Sequence, residues 1–227
     1  MCGRFTQTYT WAEIYAMYNL TATTPRNIQP RYNIAPTTQV GVITQEGEHL
    51  AYSEMRWWLI PSSWKQSLSE FRYTTFNAKA EELEQKRTFV GPLKRSRCLI
   101  PATGFFEWSG PKEARLPWFI SAKDGRPLTF AGLYDRWKDR ETGEEVTSCT
   151  IITCDANPFM QKIHTRMPVI LQESNWRAWL AEPRVDLLKP ANDDNLRAWR
   201  VSTNVNSSRY QGEDTMQPIE TGDLLDG

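Results

Sequence analysis

The sequence predicts one α+β domain built on a strongly bent, mostly antiparallel sheet or open β-barrel flanked by short helices. The first observation behind this prediction is that short β-type runs dominate the 227 residues. The second is that turn pairs such as Glu46-Gly47 and Thr142-Gly143 separate many of these runs, which favours antiparallel hairpins. The third is that helical spacing of apolar residues is confined to a few short segments, with no internal repeat and no interdomain linker.

The amino-terminal part of the chain predicts a helix and a hairpin. Thr10 and Glu13 form a capping-box pattern, which predicts a helix over residues 11–20. The runs QVGVIT and HLAYSEMRWW predict two strands joined by the turn around Glu46-Gly47.

Later segments add five β-type runs and three short helices. The β-type runs are RCLIPA, FFEW, PWFISA, LTFAGLY and VTSCTIITC. The Asp-Gly pair at 124–125 predicts that PWFISA and LTFAGLY form a hairpin. Helices are predicted over 157–162, from Ser174 in SNWRAWL, and from the start of DDNLRAW.

Charged residues are unevenly distributed, although 27 basic and 27 acidic residues cancel. The segment Arg56–Arg97 holds nine Lys or Arg and four Asp or Glu, a local net charge of +5, so it is the segment best suited to an anionic ligand. Residues 211–227 hold five acidic residues and no basic ones. We therefore predict a folded domain over residues 1–210 followed by an acidic, disordered tail.

The composition is typical of a soluble cytoplasmic protein. The start of the chain lacks a signal-peptide pattern, and no apolar run approaches the ~18 residues needed to span a bilayer. Four cysteines without regular spacing indicate reduced thiols. We expect no metal and no cofactor, because Walker, dinucleotide and H-E-x-x-H motifs are absent and no histidine accompanies Cys149 and Cys154.

Cys2 carries chemistry that an internal residue does not have. Once Met1 is removed, an α-amine with a pKa near ~7.7–8 stands beside a thiol, and at neutral pH roughly a tenth of this amine is nucleophilic. Such an amine attacks an aldehyde to form an imine, and the thiol then closes a five-membered thiazolidine ring. Two alternatives stay open at this point: Cys2 is an ordinary small residue, or the amine serves as the base for a cysteine hydrolase with an N-terminal nucleophile.

Three polar residues in apolar surroundings are further candidates. Strand alternation separates Glu107 from Phe106 and Trp108, and a carboxylate there suits a general acid or base, with a strand-edge position or a buried ion pair as the alternative. His164 follows a predicted helix and suits either proton transfer or a structural role. Asn77 precedes a helix-forming stretch and suits an N-cap or a group that binds a sugar hydroxyl or an oxyanion.

Seven segments in this order resemble one family. They are MCGRF at the start, RYNIAP at 31–36, RWWLIPSSW, FNAKAE, GFFEW, IITCDANPFMQKIHTRMPVIL and VSTNVN. Together they resemble the SRAP family, the SOS response-associated peptidases or abasic-site processing proteins. The resemblance runs from residue 2 to about residue 206 and covers nearly the whole chain.

The resemblance implies covalent capture of abasic sites in single-stranded DNA. Cys2 would condense with the aldehyde of the opened sugar to give a thiazolidine crosslink. Asn77 would hold the sugar, Glu107 would shuttle protons and position the amine, and His164 would assist ring opening and the reverse reaction. Thr153 would contact sugar hydroxyls. Release of Met1 would occur by self-processing or by an aminopeptidase, and lyase activity is a further implied activity.

The resemblance also implies a DNA-binding surface. Basic residues would contact phosphates, whereas aromatic residues and a proline would stack on bases or wedge against the duplex where single and double strands meet. The residues assigned to this surface are Arg4, Arg31, Asn33, Pro36, Trp58, Trp64, Lys79 and Arg87.

The chain departs from the family pattern at two positions. Leu59 stands where glycine is common, which puts the shape of the Trp58 loop in question. Lys79 stands where arginine is common, which keeps the charge but loses the bidentate fork. The expected molecule is a nucleoid-associated cytoplasmic monomer without a membrane partner. A cysteine hydrolase acting on amides and a noncatalytic single-strand binder are the alternatives.

Overall fold

A computed structural model describes residues 2–21, 26–219 and 224–226. In these ranges the chain forms four α-helices and thirteen strands. The helices are α1 (Trp11–Tyr18), α2 (Arg87–Arg95), α3 (Pro158–Gln161) and α4 (Glu173–Ala181). The strands are β1 (Arg4–Gln7), β2 (Arg31–Ile34), β3 (Gln39–Glu46), β4 (His49–Trp57), β5 (Asn77–Lys79), β6 (Arg97–Ala102), β7 (Gly104–Ser109), β8 (Leu116–Ala122), β9 (Leu128–Lys138), β10 (Glu145–Asp155), β11 (Arg166–Pro168), β12 (Leu196–Arg200) and β13 (Leu224–Asp226).

The strands form two sheets. The larger sheet has the order β11-β10-β4-β3-β6-β9, and β9 also pairs with β10, so five of its strands close into a small barrel. Strand β5 joins this barrel by a parallel pairing with β10. The second sheet has the order β13-β12-β8-β7-β1-β2, and all of its pairings are antiparallel. The prediction of an α+β fold on a bent, mostly antiparallel sheet is confirmed.

Local signals predicted several elements correctly. Helix α1 begins at a capping box in which Thr10 and Glu13 exchange hydrogen bonds. Strands β3 and β4 form the predicted hairpin, and strands β9 and β10 form another across the turn at residues 142–143. Gly47 and Gly143 have φ values of +62° and +75°, a backbone region that glycine enters without steric cost.

The hairpin predicted at residues 124–125 is wrong. Strand β8 pairs with β7 and β12 in the second sheet, whereas β9 pairs with β6 and β10 in the barrel. The turn is present, and Gly125 has a φ of +76°. It carries the chain from one sheet to the other, because an Asp-Gly pair specifies a reversal of the chain but not the strand that the next segment pairs with.

The helix predicted from DDNLRAW is also wrong. Only Asp193–Asn195 form a turn of 3-10 helix, and β12 follows it directly. Leu196 and Ala198 are buried while Arg197 between them is half-buried, which is the alternation of a strand. Pairing with β8 on one side and β13 on the other satisfies the backbone of this segment and overrides its helix propensity.

Aromatic side chains fill the space between the two sheets. The Phe5 ring meets Trp57 edge-on with 4.9 Å between centroids and lies 6.1 Å from Phe130, which also contacts Phe105 at 5.9 Å. These contacts clamp β1 and β7 against the barrel. Glu107 lies on the same face of β7 as Phe105, so the core holds the strand that carries this carboxylate.

A smaller apolar cluster lies on the other face of the second sheet. It contains Phe106, Phe119, Val201 and Val205, with Trp108 packed against it. The predicted alternation along GFFEW, with Phe106 and Trp108 on one face, is therefore confirmed.

Arg97, the first residue of β6, is a buried side chain that binds the ends of two helices. It is 8% exposed, and its guanidinium donates hydrogen bonds of 2.7–3.1 Å to four carbonyl oxygens. Three belong to the last residues of α4, and the fourth, that of Leu93, belongs to α2. One side chain thereby satisfies the carboxyl ends of two helices, which lack intrahelical partners.

Part of the predicted tail has a regular structure. Residues Glu213–Met216 form a 3-10 helix, and β13 pairs with β12. The proposed domain boundary at residue 210 stays a prediction. Within the described ranges no helix is long and apolar enough to span a membrane. All four cysteines have free, buried thiols.

Candidate active site

Cys2 lies at the amino-terminal end of β1 and has no solvent-exposed surface. Its thiol points to the carbonyl oxygen of Arg4, with 3.9 Å between Sγ and O. Burial, with the nearby charge of Glu107, raises the pKa of the Cys2 thiol well above its ordinary value. The thiol is therefore held neutral and shielded in this form of the chain.

Asn77 fixes the backbone of Cys2 although 75 residues separate them in sequence. The Asn77 amide Nδ2 donates a 2.8 Å hydrogen bond to the Cys2 carbonyl oxygen. Asn77 is the first residue of β5 and not a helix N-cap, so the N-cap interpretation is wrong. The strand forms because β5 pairs with β10, which sets Asn77 beside Ile151 and Lys79 beside Thr153.

Two buried oxygen atoms on the paired strands β5 and β10 lack hydrogen-bond partners among the described residues. They are Asn77 Oδ1 and Thr153 Oγ1, and the Thr153 side chain is completely buried. Buried polar atoms in native proteins normally find a partner, and an exception needs an explanation. Both atoms lie on paired strands, and Asn77 also bonds to the Cys2 backbone, so Asn77 Oδ1 is placed to accept a hydrogen bond from a polar ligand beside Cys2.

Glu107 reaches the site from β7. It is 3% exposed, and its strand pairs directly with β1, where Phe106 faces Arg4. Its carboxylate lies close enough to Cys2 to contribute to the raised pKa of the thiol. The sequence-predicted residues Cys2, Asn77 and Glu107 thus meet where the second sheet touches the barrel.

His164 is half-buried in the connection between α3 and β11. Its Nδ1 accepts a 2.9 Å hydrogen bond from the backbone N–H of Arg166. The Arg166 side chain forms hydrogen-bonded ion pairs with Glu81 and Asp155 and donates a 2.9 Å hydrogen bond to the carbonyl oxygen of Thr153. Burial opposes its charge, but the bonds to Glu81 and Asp155 raise the pKa of Arg166 overall.

Arg166 was not among the sequence-predicted site residues. It ties the 3-10 turn after β5, strand β10 and the His164 connection into one unit, because its partners lie on all three segments. The available signal was its position two residues after a candidate histidine, but an arginine there has no distinctive pattern in the sequence alone.

Comparison with known proteins places this arrangement in a family. The family model described as SOS response associated peptidase (SRAP) matches residues 1–208. The chain belongs to the SRAP family. The match includes every segment that contributes to the site around Cys2.

Curated relatives and solved structures agree with this assignment. The SRAP chain is 36% identical over 226 residues to the abasic site processing protein YoqW of Bacillus subtilis (strain 168), covering 96% of this chain and 99% of the relative. It is 30% identical to the abasic site processing protein HMCES of Gallus gallus, covering 86% of this chain and 68% of the relative. A crystal structure of a protein from Bacteroides thetaiotaomicron matches with a TM-score of 0.86 and 27% identity, covering 96% of this chain and all of that one.

Two residues assigned to the DNA surface of the SRAP chain contact the protein itself. Arg4 is half-buried, and its Nη1 donates to Asn33 Oδ1 at 2.9 Å and to the Val205 carbonyl oxygen at 2.7 Å. Burial lowers the pKa of Arg4. Asn33 is completely buried and donates its amide to backbone carbonyl oxygens. Their assignment as substrate contacts stays a prediction.

Arg31 and Pro36 lie on the edge of the second sheet and the loop that follows it. Both are half-buried. Arg31 donates to Thr38 Oγ1 at 3.0 Å and to the carbonyl oxygen of Gln39. Burial lowers the pKa of Arg31. Thr37, next to Pro36, has a φ of +81°, which is unusual for a β-branched residue and marks a constrained loop.

Trp58 and Trp64 belong to a half-exposed aromatic surface. Trp58 donates its indole N–H to the Tyr73 carbonyl oxygen at 2.7 Å, and the Trp64 ring lies 5.2 Å from Phe71 and 5.8 Å from Tyr73. Tyr73 is 63% exposed, whereas Trp58 and Trp64 are half-buried. Leu59, the departure from the family glycine, is completely buried and so packs inward from this surface.

Lys79 and Arg87 are exposed. Lys79 follows Asn77 on β5 and pairs with Glu82 at 3.2 Å, while Arg87 begins α2. Nothing in the described geometry tests their contact with DNA, which stays a prediction. In the same ranges no group of three His, Cys, Asp or Glu side chains is placed to hold a metal ion.

Proposed function

We propose that this SRAP protein captures abasic sites in single-stranded DNA through Cys2 after removal of Met1. The observation that carries the proposal is the enclosure of Cys2 between the Asn77 amide and the Glu107 carboxylate, beside two buried oxygen atoms without partners. The names of the relatives support processing of abasic sites. The covalent step follows from the chemistry of an amine beside a thiol.

The reaction balances without an oxidant or a metal. The opened abasic sugar presents an aldehyde, and the neutral Cys2 amine adds to its carbonyl carbon. The carbinolamine loses one water molecule to give an imine. The Cys2 thiol then adds to the imine carbon, and its proton goes to the nitrogen, which closes the thiazolidine. One C–N bond and one C–S bond form, one water is released, and no electrons are transferred to another molecule.

Asn77 and Thr153 would hold the opened sugar. Asn77 Nδ2 is already used by the Cys2 carbonyl oxygen, so Oδ1 is the atom available to accept a hydrogen bond from a sugar hydroxyl. Thr153 Oγ1 offers a second position on the paired strand. Two fixed acceptors beside the reacting amine would place the aldehyde carbon within reach, which lowers the entropic cost of attack.

Glu107 and His164 would move protons. Glu107 would take a proton from the Cys2 ammonium to free the amine and would return one to the departing hydroxyl. Such general acid and base steps typically contribute 10²–10⁴-fold in rate. His164, whose Nδ1 accepts a hydrogen bond from the Arg166 backbone, would assist ring opening of the sugar and reversal of the crosslink.

The DNA would cross the surface that joins the aromatic cluster to the basic segment. Trp58, Trp64 and Tyr73 offer ring edges and faces for stacking on bases, and such stacking is sequence-tolerant. Lys79 and Arg87 would contact phosphates. The local charge of +5 over Arg56–Arg97 supports this path, although the whole chain is neutral.

Removal of Met1 is a required step of the proposal. Cys2 is buried in the folded chain, which favours cleavage within the site over attack by an external aminopeptidase after folding. If Glu107 assists this cleavage, intact-mass measurement of Glu107→Gln should find Met1 retained. Complete removal in Glu107→Gln would assign the step to an aminopeptidase acting on the nascent chain and would leave the capture chemistry unchanged.

The decisive experiment is incubation of protein with confirmed free Cys2 and abasic single-stranded oligonucleotide. Wild type should give a heat-stable shifted band on a denaturing gel. Cys2→Ser should give only an imine, which is trapped by cyanoborohydride but does not survive heating without it. Cys154→Ala, which removes a thiol elsewhere, is the matched control and should crosslink normally. A wild-type sample without any crosslink would sink the proposal.

The same samples test the alternatives. Turnover of an amide substrate without DNA, blocked by a thiol reagent, would support a cysteine hydrolase. Binding that ignores the abasic site and survives Cys2→Ala without covalent product would support a plain single-strand binder.

A further inference from the structure

The loop after β12 crosses the second sheet near Cys2, and we call residues 203–211 the strap. Its first residues form a 3-10 helix, Thr203–Asn206, and Val205 is buried in the small apolar cluster with Phe106. The strap contacts β1 through Arg4 and β2 through Asn33. Most of its side chains are exposed, whereas its backbone is held tightly.

Asn33 anchors the strap, and both its amide nitrogen and its amide oxygen are hydrogen-bonded. Its Nδ2 donates to the carbonyl oxygens of Val205, Ser207 and Tyr210 at 3.2, 2.9 and 2.9 Å. Its Oδ1 accepts a 2.9 Å hydrogen bond from Arg4 Nη1. A completely buried asparagine committed to the protein in this way does not present a free group to DNA.

Two further side chains close the strap. Gln211 bonds with both backbone groups of Asn33, since its Oε1 accepts from N–H at 3.3 Å and its Nε2 donates to the carbonyl at 2.8 Å. Trp108 donates its indole N–H to Asn206 Oδ1 at 2.7 Å. Trp108 follows Glu107 on β7, so the strap is bonded to β1, β2 and β7 at once.

The end of β1 needs this support because its backbone pairing there is incomplete. Strand β1 pairs with β2 only at Phe5 and Gln7, with an irregularity between them. The register with β7 begins at Arg4. Cys2 therefore lies two residues before the start of β1, outside its backbone pairing. The Arg4 side chain, bonded to Asn33 and to two strap carbonyl oxygens, replaces the missing pairing.

We propose that Asn33, Gln211 and Trp108 are positioning residues, which hold the Cys2 end of β1 in line with Glu107 by anchoring the strap. This rests on the proposed function. Asn33 then acts through Arg4 and not through contact with DNA. A displacement of about 1 Å at a reacting group lowers rates by up to ~10²-fold, so loosening the strap should slow the chemistry.

The test separates rate from affinity in protein with free Cys2. Single-turnover crosslinking at saturating abasic single-stranded DNA should be roughly tenfold slower in Asn33→Ala, and roughly threefold slower in Gln211→Ala and Trp108→Phe. Affinity for an uncleavable tetrahydrofuran analogue, measured in a Cys2→Ala background, should change less than about threefold. Tyr18→Phe, which loses one buried hydrogen bond to Thr129 far from the strap, should crosslink at the wild-type rate.

A double-mutant cycle tests the link to Glu107. In a Glu107→Gln background, prepared with Met1 already removed and free Cys2 confirmed by intact mass, Asn33→Ala should slow crosslinking by less than about twofold, because the alignment it protects is already without effect. Full additivity, a wild-type rate in Asn33→Ala, or a loss of affinity that accounts for the whole defect would overturn the inference. Should Asn33→Ala fail to fold, Gln211→Ala and Trp108→Phe decide it. Absence of crosslinking in wild type would instead refute the proposed function itself.

Discussion

The surroundings of Arg97 and of Cys2 handle buried polar groups in opposite ways. Arg97 enters the core with four hydrogen bonds to carbonyl oxygens at the ends of α2 and α4. Beside Cys2, by contrast, Asn77 Oδ1 and Thr153 Oγ1 are buried with no partner among the described residues. Arg97 lies on the barrel strand β6, whereas Asn77 and Thr153 lie on β5 and β10 of the same barrel.

The two regions therefore differ in what their buried polar groups contribute: hydrogen bonds that stabilise the fold around Arg97, and unpartnered atoms that a ligand could bind around Cys2. A buried polar atom left without a hydrogen bond costs about 1–3 kcal/mol. The Arg97 region avoids this cost. Removing the Arg97 guanidinium should therefore lower the free energy of unfolding more than it lowers the rate of crosslinking. The Cys2 region carries the cost, which a bound sugar would offset. Substitutions in the two regions should therefore move stability and crosslinking independently.

Arg97→Met should have the largest effect on stability. It leaves four carbonyl oxygens without their donor, and losses of this kind amount to about 3–5 kcal/mol. Urea unfolding followed by tryptophan fluorescence measures the change. Arg97→Lys keeps the charge but not the planar fork and should fall between the two proteins. A loss below ~1 kcal/mol for Arg97→Met would break the comparison.

Asn77→Ala should have the largest effect on capture at little cost to stability. It releases the Cys2 carbonyl oxygen and removes the sugar acceptor, so crosslinking should fall roughly 100-fold. Stability should change by less than about 1 kcal/mol, since one hydrogen bond is lost together with an unpartnered oxygen atom. Asn77→Asp keeps Oδ1 but sets a charged oxygen against the Cys2 carbonyl oxygen in place of the donor, so it should impair capture at least as strongly. Crosslinking of Asn77→Ala at the wild-type rate would contradict the assignment.

Thr153→Val sharpens the comparison because it replaces the hydroxyl with a methyl group of similar size. Removing an unpartnered buried oxygen should leave the protein as stable as wild type or more stable by ~1 kcal/mol. Crosslinking should slow about fivefold, the equivalent of one hydrogen bond worth roughly 1 kcal/mol. Thermal unfolding and gel-shift rates measure both effects. Marked destabilisation would show that Thr153 Oγ1 already has a structural partner.

The smallest effect is expected for the ion pair of Glu81 with Arg166. The hydrogen bond from Arg166 lowers the pKa of Glu81 below its ordinary value of 4.5. A lowered pKa adds stability above the ordinary value, and this stability is lost as the pH falls through the folded-state pKa. Glu81→Gln should therefore reduce stability at neutral pH by a fraction of ~1 kcal/mol, because Glu81 is exposed and Asp155 remains as a partner of Arg166, and should flatten the loss below pH 4.5. An unchanged acid limb in urea titrations would contradict this.

The sequence predicted elements whose signals are local. The α1 capping box, the β3–β4 turn and the alternation along GFFEW each depend on residues within a few positions of one another. The strand partners were not accessible in this way. The turn at residues 124–125 joins two sheets, and Leu196–Arg200 becomes a strand because β8 and β13 flank it.

The candidate site shows the same division. Aminothiol chemistry at Cys2 follows from its own covalent structure, whereas the contact between Cys2 and Asn77 spans 75 residues and came only through resemblance to a family. Asn33 belonged to the same resemblance, yet the structure places its amide against the strap. The sequence analysis missed Arg166 and Arg97, because nothing in the sequence distinguishes an arginine that donates to backbone carbonyl oxygens from an arginine exposed to solvent.

The burial of Cys2 has a consequence for the working life of each molecule. Under the proposed function the protein is consumed stoichiometrically, one copy for every lesion it holds. An idle copy must then keep its thiol intact in a cell that contains peroxides and free disulfides, which react with exposed thiolates. A neutral thiol without solvent-exposed surface would resist both, so under the proposed function the enclosure would preserve the reagent until DNA arrives.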